Sequence, residues 1–229
     1  MNTIQSIWDG LDWSFLTEIA LSVIPALICI TLHELSHGLV AYKLGDPTAK
    51  LAGRLTLNPI KHLDPIGLLM MLVCHVGWAK PVPVNMNRFR NPKRGMALTA
   101  LAGPASNVII AIVFLFLYGL LYIPLNKSAA GRYFLEMIDL TAVISTGLAI
   151  FNLLPIPPLD GSKILFSFLS DERYRWLMRY ERYVSLLLFA LVWGGVLGRP
   201  LSAAINAVYD ALFPLARLGF SLAKTLFYR

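Results

Sequence analysis

Residues 15–45 read FLTEIALSVIPALICITLHELSHGLVAYKLG, and no Lys or Arg interrupts the chain before Lys43. Leu, Ile, Val and Ala dominate residues 16–42, a run long enough for the roughly 20 residues that a bilayer crossing needs. His33, Glu34 and His37 stand inside that run. On a helix the two imidazoles lie about one turn apart on one face, so both can reach a single zinc ion. Glu34, next to the first imidazole, is then placed to act as general base on the metal's water. A five-residue pattern with three fixed positions also recurs by chance, so the surroundings decide. Each charged form costs about 2.5 kcal/mol or more at the bilayer centre, which makes an intramembrane ionisable cluster a functional site by default. Packing alone would be better served by Leu.

Composition agrees with a polytopic membrane protein. Hydrophobic residues make up 57% of the chain and charged residues 14%, against roughly 25% charged in soluble domains. The expected fold is an all-α helical bundle. Long apolar spans are read at 16–42, 96–123, 137–157 and 201–223, with a shorter one at 183–198. The stretch 65–79 is too short for a confident crossing and is expected to be re-entrant or oblique. No internal repeat or low-complexity segment is present, so one membrane domain is expected, with a catalytic core at about 16–165 and accessory helices at about 183–223.

Charge sets the expected orientation. Lys43, Lys50, Arg54 and Lys61 fall in one loop, Lys80, Arg88, Arg90, Lys93 and Arg94 in the next, and Arg173, Arg175, Arg179 and Arg182 in a third. The positive-inside rule assigns all three to the cytoplasm. With the N-terminus outside, five crossings satisfy them, and His33, Glu34 and His37 come to lie near the cytoplasmic end of their helix, where water can reach. The N-terminus carries Asp9, Asp12 and Glu18 but no basic n-region, so it is read as mature sequence rather than a cleaved signal. The net charge of +7 suits loops facing anionic head groups of the lipid bilayer. No nucleic-acid motif accompanies it, so no nucleic-acid partner is expected.

Two imidazoles do not complete a zinc site, which needs a third protein ligand and a position open for water. His62 and His75 are weak candidates, one in a basic loop and one near the end of a short apolar piece. Cys29, one turn before His33, could approach the metal, but packing is the commoner role of a free cysteine. Cys29 and Cys74 lack the spacing of a disulfide or zinc framework. The strongest candidate is Asp160, a lone carboxylate at the end of FNLLPIPPLDG, residues 151–161. Pro155, Pro157 and Pro158 remove backbone donors and disfavour helix for the residues before them. The helix must break there, either as a plain turn at Gly161 or as an unwound stretch lining a wet cavity.

HELSH on one apolar helix, followed more than a hundred residues later by NLLPIPPLDG, resembles the site-2 protease family of intramembrane zinc metalloproteases, in its small prokaryotic form. GRLTLNP at 53–59, DPIG at 64–67, GWAKPVPVN at 77–85 and AGPASN at 102–107 are similar to further pieces of that family. The resemblance covers roughly residues 20–165. It implies one zinc ion held by His33, His37 and Asp160, with Glu34 as the base. It also suggests that Asn152 and Asn107 hold a substrate strand or the developing oxyanion, although polar residues in bundles also serve inter-helix hydrogen bonding. Gly103-Pro104 is read as a close helix contact or kink. Pairing of strand-like segments at 53–58 and 80–85 with substrate is likewise implied by resemblance.

The implied substrates are single-span membrane proteins, in regulated intramembrane proteolysis at a prokaryotic plasma membrane. Their helices must unwind locally before hydrolysis. The competing readings are an intramembrane metal transporter, in which ligands would be strung across several depths, and a catalytically inactive membrane scaffold. Further along, Gly194-Gly195 and Gly198 permit close approach or a turn, and Trp176, Tyr180, Tyr183, Phe227 and Tyr228 suit an interfacial belt.

Overall fold

The computed structural model describes residues 13–67, 70 and 78–227, with side-chain surroundings from Leu21 onward except at 22, 171, 173–178 and 227. Three long helices form the centre: α1, Trp13–Lys43; α3, Pro92–Leu125; and α4, Ala129–Leu153. Between α1 and α3 come a single-turn helix α2, Thr48–Leu51, and 3-10 turns at Pro59–His62 and Met86–Arg88. After α4 follow the short α5, Asp160–Phe166, then α6, Asp171–Trp193, α7, Gly198–Leu212, and α8, Pro214–Phe227.

The ends of these helices are written locally. Pro92 opens α3, where its missing N–H costs nothing, and the Asn91 side chain caps the Arg94 amide. Ser128 caps α4 through the Gly131 amide, so α4 starts upstream of the apolar stretch that begins at 137. It stops at Leu153 because the three prolines that follow cannot extend it. At the end of α1, Gly45 has φ 103°, and the Asp46 amide turns back to the Ala41 carbonyl at 2.9 Å.

Helices α1, α3 and α4 pack against one another, α5 lies on α3, α7 on α4 and α8 on α3. The seams are rich in small buried residues, among them Cys29, Ala41, Ala100, Gly103, Ala111, Ala142 and Ala149. Without a hydrophobic drive between helices in lipid, close backbone approach is what holds such seams together. Outward-facing Ile109, Val113, Leu186 and Leu187 are exposed, as a lipid-facing surface requires.

Three described helices are long and apolar enough to cross a membrane, within 23–43, 92–125 and 129–153, and a fourth crossing results if the bent pair 179–193 and 198–226 counts as one. Five apolar spans were expected. The difference lies at the break near Gly195, whose φ is +72°: hydropathy sees two spans there, whereas the chain bends by 82°. The strand-like segments at 53–58 and 80–85 form no strand. Among the described residues β pairing is limited to one antiparallel bridge, Leu63 to Ala79, joined by the Lys80 amide on the His62 carbonyl at 2.9 Å. Pro81 and Pro83 lack N–H groups and stop the ladder at once. Most of the stretch 65–79, with Cys74 and His75, lies outside the described residues.

Candidate metal centre

His33 and His37 come from α1, one turn apart, and Asp160 is the first residue of α5. All three are buried. Nε2 of His33 lies 3.2 Å and Nε2 of His37 3.1 Å from Oδ2 of Asp160, and the two Nε2 atoms are 3.0 Å apart. Among the described residues this is the one group of three whose ligand atoms could share a metal ion.

The donors are set up for a cation. Nδ1 of His37 is 2.7 Å from the Thr99 carbonyl, which can only accept, so Nδ1 carries the proton and Nε2 presents its lone pair. Nδ1 of His33 faces the Asn107 amide nitrogen at 3.2 Å, while the Asn107 Oδ1 is buried without a partner. Turning that amide over gives Oδ1 a donor and fixes His33 in the same tautomer. Two lone pairs and a carboxylate oxygen then point at one another, which without a positive charge between them is repulsive. A tetrahedral ion with bonds of about 2.0–2.1 Å has ligand-to-ligand edges of roughly 3.3 Å; the three edges here are 3.0, 3.1 and 3.2 Å. The residues fit zinc.

Neighbouring backbone closes around the centre. A Cβ on Gly103 would fall 2.6 Å from Cε1 of His33 and closer still to Nε2 of His37, so α3 can lie flush against the ligands only because this residue is Gly. Gly161 likewise faces the Leu153 and Leu154 carbonyls with no room for a side chain, which locks α5 against the end of α4. Ser145 donates to the Asn107 carbonyl at 2.8 Å, tying α4 to α3 behind the ligands.

Glu34 is half-buried beside the ligands, and its Oε2 accepts the Val82 amide at 2.8 Å. The segment carrying Val82 is pinned at several points. Arg54 donates to the Lys80 carbonyl at 2.6 Å, and the Asn85 amide donates to Asp46 Oδ2 at 2.6 Å. Burial alone would raise the Asp46 carboxyl, yet hydrogen bonds from the Thr48 hydroxyl and the Asn85 and Thr48 amides, with Arg88 nearby, hold it below the usual carboxylate range.

The other candidates stand apart from the ligand group. His62 is fully buried and pairs with the Thr56 carbonyl at 2.9 Å. Cys29 donates to the Thr141 carbonyl at 3.4 Å. Asn152 donates to Leu148 O of its own helix at 3.0 Å. Thr99, Gly103 and Val82 contribute without having been singled out for these contacts. Two of them act through backbone atoms, which leave no mark on residue type.

Comparison with known proteins bears on the same chemistry. The model of peptidase family M50 matches residues 119–194, a stretch that includes Asp160. YwhC of Bacillus subtilis (strain 168), a zinc metalloprotease by name, is 40% identical over 202 residues, covering 84% of this chain and 89% of the relative. Rip2 of Mycobacterium tuberculosis (strain H37Rv), named in the same way, is 32% identical over 72% of this chain and 63% of its own length. Zinc metalloprotease MJ0392 of Methanocaldococcus jannaschii is 30% identical over 69% of this chain and 37% of its own. No solved structure gives a significant match.

Proposed function

This chain belongs to peptidase family M50, the site-2 proteases, and from that premise we propose that it cuts single-span membrane proteins at a zinc centre set within the bilayer. The observation that carries the reading is the convergence of His33, His37 and Asp160 on one point inside an apolar bundle. A zinc ion, one per chain, would supply Lewis-acid chemistry there, lowering the pKa of an attacking water toward about 7. Glu34 is the catalytic base, taking the proton and returning it to the leaving amine. Asn107 orients His33, and Asn152 offers its side-chain carbonyl to a substrate amide.

The core at 16–165 does the chemistry, and the helices beyond it are accessory. A substrate helix hides its amides from the site and must unwind before its carbonyl can be attacked. The extended segment 81–85 supports the next step. Its Val82 amide is taken by Glu34 and its Asn85 amide and carbonyl by Asp46 and Arg88, and its prolines have no N–H, which leaves the Val84 amide and the carbonyls of 81–84 for a substrate strand. Depth supports access by water: His37 stands six residues before the end of α1, about 9 Å at 1.5 Å per residue. With the basic loops in the cytoplasm and the N-terminus outside, that end is the cytoplasmic one. Regulated intramembrane proteolysis is the role this site suits. Convergence on a single point favours it over a transport path, whose ligands would be spread through the membrane.

Glu34→Gln preserves shape but cannot accept a proton. In purified protein reconstituted with a single-span test substrate, zinc content is expected to stay near the wild-type value while cleavage falls by roughly 10²–10⁴-fold. Undiminished cutting by this variant would overturn the mechanism.

A further inference from the structure

Asp160 has two oxygens, and only one faces the histidines. Oδ2 lies 3.2 and 3.1 Å from the two Nε2 atoms. Oδ1 is turned the other way, 3.3 Å from Nζ of Lys163. The pair is spaced i, i+3 on α5, so both side chains leave one face of the same helical turn. On a protein surface such a pair would be worth little. This one differs because the Asp160 side chain is 9% exposed, against 39% for Lys163, and because Asp160 is itself a ligand candidate.

The helix that carries both residues cannot rotate to change this arrangement. Gly161 is pressed against the carbonyls ending α4, and Ser162 is buried with its hydroxyl on the Leu159 carbonyl at 2.7 Å. Lys163 therefore meets Asp160 across a fixed backbone, and what its ammonium can restrain is the rotation of the carboxylate about its own side-chain torsions. A carboxylate can bind a metal through one oxygen or both. With three protein ligands from one-atom donors a tetrahedral centre keeps its fourth position, whereas a second Asp160 oxygen would occupy space that water or a substrate carbonyl needs.

Resting on the proposed zinc site, we infer that Lys163 is a positioning residue that holds Asp160 as a one-oxygen ligand by engaging Oδ1, and so keeps a coordination position open. Its reach is through Asp160. Removing the ammonium frees Oδ1 to swing toward the metal, and the cost falls on turnover rather than on substrate docking. Outer partners of metal ligands are worth about 10–100-fold in affinity or activity.

The test uses the full chain in detergent with cobalt(II) replacing zinc, because the intensity of cobalt's visible bands distinguishes four ligands from five. Lys163→Met is expected to weaken those bands in the five-coordinate direction, and in the zinc-loaded protein to lower kcat by about 10–100-fold with KM little changed. Lys163→Arg, which can still donate to Oδ1, is expected to restore both the spectrum and the rate. An unchanged cobalt spectrum in Lys163→Met would overturn the inference, whatever the rate did. Failure of Arg to restore either signal would overturn it too. If wild-type protein binds neither zinc nor cobalt at His33, His37 and Asp160, the underlying site is wrong, an outcome distinct from normal wild-type binding with an indifferent Lys163 variant.

Discussion

The two ends of the central bundle are held together by different means. Around the metal centre the seam between α1, α3 and α4 is filled with buried polar side chains: His33, His37, Thr99, Asn107, Thr141, Ser145 and Thr146. At the far end of α3 the contact with α8 is backbone on backbone. A Cβ on Gly119 would come 2.9 Å from the Phe220 nitrogen and closer to the Ala216 carbonyl, and one on Gly219 would come 2.9 Å from the Leu120 nitrogen. Polar groups there are sparse, chiefly the hydrogen bond from the Tyr209 hydroxyl to Asp139 that fastens α7 to α4. Buried polar atoms in lipid are expensive, so the chain concentrates them where chemistry requires them and elsewhere relies on small residues. The near end should thus fail in function, the far end in stability.

Mutations can break or sharpen that contrast. The largest effect is expected from Asp160→Asn, which keeps the shape but removes the ligand charge. Zinc retention, read by competition with a chelator, should fall further than the roughly 10–100-fold typical of losing an outer partner, with the helical content of the protein unchanged. Next comes Gly103→Ala, whose methyl would push directly on both imidazoles. A loss of about 10–100-fold in zinc affinity or cleavage is expected there, and wild-type affinity would mean that the flush packing of α3 is not needed to hold the ligands.

At the far end the expected loss moves from function to stability. Gly219→Val overpacks the α3 to α8 contact and should lower stability by about 1–3 kcal/mol, seen as earlier thermal unfolding in detergent, while the folded protein keeps its zinc. Loss of metal in this variant would show that the ends are coupled. The smallest effect is expected from Tyr209→Phe, about 0.6 kcal/mol as for an average hydrogen bond between membrane helices, measurable by denaturant unfolding.

How far the sequence reveals this site depends on which atoms do the work. His33, Glu34 and His37 are legible because helical spacing alone puts them together, whereas Asp160 after three prolines reads as readily as a plain helix end, and it is the resemblance carried by HELSH and NLLPIPPLDG together that joins it to the histidines. The Thr99 carbonyl and the Val82 amide are silent, since every residue type carries such groups. Gly103 was legible as a close contact, but not as a contact with the ligand rings, because that depends on how α3 crosses α1. Lys163 stood in plain view three residues after Asp160, and needed only the question of where the second carboxylate oxygen points. Beyond residue 183 hydropathy gives the apolar stretches but not the 82° bend between them, because it averages over Gly195, a left-handed residue.

The hydrogen bond from the Val82 amide to Glu34 ties the segment 80–85 to the turn of α1 that carries His33 and His37. Under the proposed mechanism, a peptide laid along residues 80–85 would share a hydrogen-bonded segment with the base Glu34, and that segment is held at its far end by the Asp46 carboxylate, which accepts the Asn85 amide. A peptide that displaced this segment would then displace the base with it, so fit and chemistry would be coupled through one hydrogen bond.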